Sequence, residues 1–234
     1  MFPDLNALDA VALVLFVTIW LGYNTLFDGR LLRPNSINAK MIAVREAWMR
    51  RLLRRDNRIV DATLIGHSIR SAAFFASTTI LVIAGLVGVI GSAETVHHAI
   101  LNLSVFLRTG SQVLFEFKIF MLISIFVYAF FKFTWAIRQF NYFSAIIGSA
   151  PDPDERPAED ELARPMALIL SHAVWQLNAG IRAYYFALAG LGWFIHPLFF
   201  MLMTVLMTAV LVRRQLSSPT SLSIADHVSC LERR

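Results

Sequence analysis

Long apolar runs alternate with short charged segments along this chain, and the lengths of the runs decide most of the reading. Ala10–Phe27 is an uncharged run of 18 residues between Asp9 and Asp28. At about 1.5 Å per residue it reaches about 27 Å, enough for a first transmembrane helix over 10–27. Gly29 and Pro34 break it. From 37 to 58 the pattern changes: Ile37, Met41, Val44, Trp48 and Leu52 recur every three or four residues among many arginines. That periodicity predicts a basic amphipathic helix lying on the inner leaflet or beneath a helical bundle. A second span covers 71–92. A third is expected over 113–137 within a helix running on to about Ile147, although only Ile119–Phe131 is free of charge. Its flanking Lys118 and Lys132 are expected to snorkel toward opposite headgroup regions.

The stretch 148–165 carries four prolines and six acidic residues and reads as a disordered linker. Ala183–Val212 then offers 30 residues without a fixed charge, more than one bilayer needs. Pro197 should kink a helix there, so the run is either one tilted span over 183–212 or two short spans meeting near His196. Residues 215–234 form a polar tail. The expected fold is all-α: one membrane domain over 1–214, with four transmembrane helices (five possible) extended on the cytoplasmic side.

Composition agrees with a multi-pass membrane protein: 57% hydrophobic, 16% charged, mean hydropathy +0.60. The net charge of +5 is not spread as a nucleic-acid surface requires, because nine Lys/Arg fall between Arg30 and Arg58. By the positive-inside rule that segment is cytoplasmic, with Arg50, Arg51, Arg54 and Arg55 near anionic headgroups and the N-terminus outside a plasma (inner) membrane. Four spans then put the C-terminus outside, which Arg213 and Arg214 oppose. The N-terminus lacks a basic n-region, so its apolar run reads as a retained helix. A lone cysteine, Cys230, excludes an intramolecular disulfide and any multi-Cys metal site.

Candidate chemistry is positional. His67 and Arg70 precede the second apolar run, Arg138 and Asn141 follow the third, and His172, Gln176, Asn178 and Arg182 precede the fourth. With four spans all eight form a polar layer at the cytoplasmic face, as headgroup anchors or as a vestibule for an anion. "IRSAAFFA", "IRQFNYFSA" and "IRAYYFA" repeat the same interface chemistry, an arginine followed by aromatics. Ala84, Gly88 and Ser92, with Gly85 beside them, make a small-residue stripe expected to pack against another helix. His67 and His172 could together ligate a haem, but nothing else in the sequence calls for one. Glu94, His97 and His98 share one helical turn that could bind zinc or copper, but no hydrolase motif accompanies them, and no cofactor is expected. No phosphate loop, catalytic triad or intramembrane carboxylate pair argues for an enzyme. Two functions remain: an oligomeric channel or carrier for a small, anionic solute, or a non-transporting accessory or scaffold subunit of another membrane complex.

The blocks "REAWMRRLLRRDNR", "FFASTTILVIAGL", "KFTWAIRQFNYFSAIIG" and "NAGIRAYYFALAGLGWFIHPLFF" resemble successive parts of a bacterial and plant family of integral membrane proteins, domain of unknown function 599. The resemblance runs over roughly residues 8–212, and the block from Asn178 through Gly180 and Arg182 to Phe186 is its most specific part. It implies a membrane bundle of four spans and no particular activity.

Overall fold

The computed structural model describes residues 6–27, 37–93, 111–152 and 159–233. Seven helices are formed in these residues: α1 Ala7–Phe27, α2 Ile37–Leu53, α3 Ile59–Gly91, α4 Gln112–Gly148, α5 Glu159–Leu191, α6 Pro197–Leu216 and α7 Pro219–Glu232. A 3-10 turn, Gly192–Phe194, separates α5 from α6. The chain is a helical membrane protein: α1, α3, α4 and the stretch Pro197–Leu231 are long and apolar enough to cross a bilayer. Their outward faces carry Val14, Leu21, Phe74, Leu81, Phe131 and Leu202, all exposed. In a bilayer such side chains meet lipid rather than water, so their exposure costs nothing.

The axis of the bundle is α4. Ser111 caps it by accepting from the Leu114 amide at 3.3 Å. One stripe of its surface stays buried along the whole length, through Leu114, Leu122, Ala129, Phe133, Ala136, Phe140 and Ile147. Helix α3 packs on one flank and α5 on the other. Alanine dominates the buried face of α5, with Ala163, Ala167, Ala173, Ala179, Ala183 and Ala187. Small side chains let α5 lie close to α4, and the aromatics of α4 fill the remaining space.

Two cores are stacked along this axis. The larger joins Phe16 and Tyr23 of α1 to Phe133, Phe186, Trp193 and Phe200. The second joins Met49 and Leu52 of α2 to Ile65, Phe140, Phe143, Met166 and Leu170, at the end where α2 lies. At 37 residues, α4 is about 55 Å long, against a hydrocarbon core of about 30 Å. The second core therefore accounts for the excess, and the helices extend beyond the apolar belt on the side of α2.

Several expectations change. The run 183–212 does not form one span, because the chain turns back between Gly192 and His196. Gly192 makes this reversal: a Cβ there would stand 3.3 Å from the Phe200 Cα. Pro197 does not kink a helix but opens α6 at its first turn, where its missing N–H costs nothing. The His196 side chain caps that helix by accepting from the Leu198 amide at 3.2 Å. Helix α5 already carries the chain to the end where α1 begins, since Trp193 meets Asp9. Helix α6 brings it back, so the chain passes five times between the two ends of the bundle. The C-terminal segment consequently lies beside α2, not at the opposite end: α7 packs on α2, and Lys40 Nζ reaches Ser221 Oγ at 3.5 Å.

The polar tail is thus helical from Pro219 to Glu232. Of the linker, Glu159–Pro165 belongs to α5, with Pro165 inside it, and 153–158 lie outside the described residues. The amphipathic helix ends at Leu53 rather than 58.

Candidate functional site

The polar layer does not converge. Arg70 and His67 are exposed on α3 and meet each other, Nη2 to Nδ1 at 3.1 Å. On α4, Arg138 and Asn141 are exposed as well, and Arg138 donates from Nε to the Tyr142 hydroxyl at 2.6 Å. His172 is exposed on α5, edge-on to Trp175. His67 and His172 thus each face a neighbour on their own helix, which is not the arrangement of two axial haem ligands. Gln176 accepts from Lys132 Nζ at 3.0 Å, and Asn178 donates to Asn38 Oδ1 at 3.1 Å.

Only Arg182 is buried, its guanidinium 5.8 Å from the centre of the Tyr23 ring. Aromatic stacking of this kind suits the flat, weakly hydrated guanidinium. Two residues earlier, Gly180 faces the Phe133 ring so closely that an added Cβ would lie 2.7 Å from Cδ1. Spacing alone marks Arg182 as one polar residue among eight. It could not show that Gly180 clears the way for a ring on another helix.

The small-residue stripe points away from the chain's other described helices. Ala84, Gly85, Gly88 and Ser92 are exposed, and nothing stands within 4 Å of a Cβ built at Gly85 or Gly88. The close approaches within the bundle fall instead at Gly180, Gly190 and Gly192. Glu94, His97 and His98 lie outside the described residues, and among those residues no group of three metal-ligating side chains occurs.

A buried polar constellation that sequence patterning missed sits where α1 begins. Lys118 does not snorkel. It is 1% exposed, and its Nζ donates to the Trp193 carbonyl at 3.0 Å while lying 5.4 Å from the Trp193 ring centre. The turn after α5 explains the acceptor: Ile195 and His196 both direct their amides to Gly192, leaving the Trp193 carbonyl to the lysine. The Trp193 indole in turn donates to Asp9 at 2.7 Å. One tryptophan thus bridges an acid on α1 and a lysine on α4.

At the other end, polar contacts fix α2. Asp61 is fully buried and accepts from Trp48 Nε1 at 2.6 Å and from Arg55 Nη1 at 2.8 Å. Arg58 donates to the carbonyls of Ala150 and Pro151, tying the start of α3 to the end of α4. Arg45, 7% exposed, donates to Ser171 on α5 at 3.0 Å, and burial pushes its pKa down to about 10. The result is a fixed platform. On it Glu46, Arg50, Arg51 and Arg54, with Leu231 of α7, line a groove of about 430 Å³, in which Glu46 accepts from Arg50 Nη2 at 2.8 Å and leaves a surplus of positive charge.

A second groove, of about 510 Å³, opens on the side of the bundle between α4 and α5. Tyr128, Phe131, Lys132, Trp135 and Arg138 line it from α4 and Gln176 from α5.

Comparison with known families matches residues 11–220 to the family described as protein of unknown function, DUF599. No curated protein and no solved structure matches the chain.

Proposed function

The chain belongs to the DUF599 family, and from that premise we propose that it is a non-transporting accessory or scaffold subunit of a plasma-membrane complex. The observation that carries this reading is the filled interior. Trp193 stacks on Phe200, Phe200 meets Phe16, and Phe16 meets Phe186, which lies against Trp20 and Tyr23. On the other side of α5, Phe75, Phe133, Phe126 and Tyr184 interlock. Interdigitated rings at this density leave no room for a hydrated ion among the described helices of one copy.

In this reading the end that carries α2 faces the cytoplasm, because the Lys/Arg surplus of the first loop lies there. Arg213 and Arg214 end α6 at the same end, so the charge conflict inherent in four passes is absent from five. The platform of Arg50, Arg51 and Arg54 is the surface offered to an acidic partner or to headgroups.

The test is a pair of measurements. Purified protein in liposomes should carry chloride, nitrate and phosphate no faster than empty liposomes. Cross-linking in native membranes should capture a partner that Arg50→Glu/Arg51→Glu/Arg54→Glu no longer captures. Protein-dependent anion flux would refute the reading. It would favour instead a channel formed between copies, for which the outward Ala84–Ser92 stripe offers a close helix contact.

A further inference from the structure

We propose that the side groove between α4 and α5 is a binding site for an anionic glycerophospholipid, taken from the leaflet on the side of α2. The groove follows one stripe of α4: Tyr128, Lys132, Trp135 and Arg138 succeed one another at steps of three or four residues, with Phe131 beside Lys132. Such residues share a helix face. Gln176 of α5 closes the far wall and fixes Lys132 through its 3.0 Å bond.

Charge is the first argument. Lys132 is held by the neutral Gln176 and lies 5.2 Å from the Tyr128 ring centre, and Arg138 is held by the Tyr142 hydroxyl. The sequence contains no Asp or Glu from 117 to 151 or from 162 to 225, so no acid of α4, α5 or α6 stands near either cation. Two cations that share a groove without a counter-charge attract an anion. A zwitterionic lipid would bring its own ammonium beside them. A net anionic headgroup does not.

Depth is the second argument. Lys118 lies at the end of the bundle where the chain turns between α5 and α6, through its bond to the Trp193 carbonyl. Arg138 lies 20 residues further along α4, about 30 Å away, which is the thickness of the hydrocarbon core. Arg138 therefore stands at headgroup level, and Lys132 about 9 Å deeper. A phosphate meets Arg138 first, and Lys132, held at Gln176, adds its positive field from below. Below Arg138 on the same face, Phe131 and Trp135, 64% and 47% exposed, give an acyl chain an aromatic wall. A soluble anion would use the cations but not this wall.

Trp135 reports occupancy. The full chain is reconstituted in bilayers containing brominated phosphatidylglycerol or brominated phosphatidylcholine, and the quenching due to Trp135 is taken as the difference from Trp135→Phe. Quenching of that component should need about tenfold less phosphatidylglycerol than phosphatidylcholine, the discrimination expected of two interfacial cations. Lys132→Gln/Arg138→Gln should abolish the difference. If the double variant loses its helical circular dichroism, Arg138→Gln alone serves, since that side chain is exposed and should weaken the preference severalfold. Equal quenching by the two lipids overturns the proposal, as does a preference that survives the substitutions. Inorganic phosphate added to the same bilayers should leave the quenching unchanged, and displacement of the lipid would assign the cations to a free anion.

Discussion

Gly180→Ala isolates one contact on which the packing of α5 against α4 depends. A methyl group at 180 would lie 2.7 Å from Cδ1 and Cζ of Phe133, whereas ordinary contact begins near 3.4 Å. The ring must therefore move by about 0.7 Å or more. It has little freedom to do so. Phe133 is fully buried, stacked on Phe75 at 5.3 Å and edge-on to Tyr184 at 5.9 Å. Overpacking of this kind costs about 1–3 kcal/mol. Against it stands the gain of about 1 kcal/mol when alanine replaces glycine within a helix. The net effect should be a loss of about 1 kcal/mol, with about 3 kcal/mol or more for Gly180→Leu. Phe133→Leu should be destabilising alone yet tolerate alanine at 180, so the double variant should be more stable than the sum of the singles by about 1 kcal/mol. The assay is reversible unfolding in mixed micelles by titration with a denaturing detergent, followed by circular dichroism. A Gly180→Ala protein more stable than the native one, or an additive cycle, would refute the argument.

Other outcomes follow from the same packing. Gly88→Leu should leave the unfolding of a single copy unchanged because Gly88 has open space beside it; a lowered oligomer mass in mild detergent would show that a second copy covers the stripe. Asp61→Ala removes the acceptor shared by Trp48 and Arg55 and should cost about 2 kcal/mol, with faster proteolysis of α2 as the readout. Arg182→Lys should destabilise more than Arg70→Lys, since Arg182 is buried against a ring while Arg70 is exposed; equal melting temperatures would contradict this. A membrane-impermeant thiol reagent should label Cys230 from the same side as Arg51→Cys (in a Cys230→Ser background) and from the opposite side to Asn6→Cys. Labelling of Cys230 and Asn6→Cys from one side would overturn the five-pass path.

The apolar runs made α1, α3 and α4 legible because membrane spans are written in uninterrupted hydrophobicity. The path after α4 was not, for a definite reason. Helix α5 carries Arg182 well inside it, and a charge at that place counts against a membrane pass when the chain is read alone. The compensation lies elsewhere, in the Tyr23 ring of α1 and in the aromatics of α4. Lys118 failed in the same way. Its acceptor exists only because the chain turns at Gly192, 74 residues later. The polar layer was read from the positions of its residues along the chain. Their directions around each helix were not readable, and these send His67, Arg138 and His172 outward and Arg182 inward.

The tryptophan that joins Asp9 to Lys118 also sets an order of events during synthesis. The acid belongs to the first helix to emerge and the lysine to the third span, but the group that serves both is among the last to enter the bilayer. Until α5 and α6 insert, a carboxylate and an ammonium wait in the membrane without their common partner. The final hairpin then enters as a pair, carrying Arg182 beneath the rings of α1. A chain cut short before residue 193 would lack this closing step, and the cell's membrane proteases would meet it open.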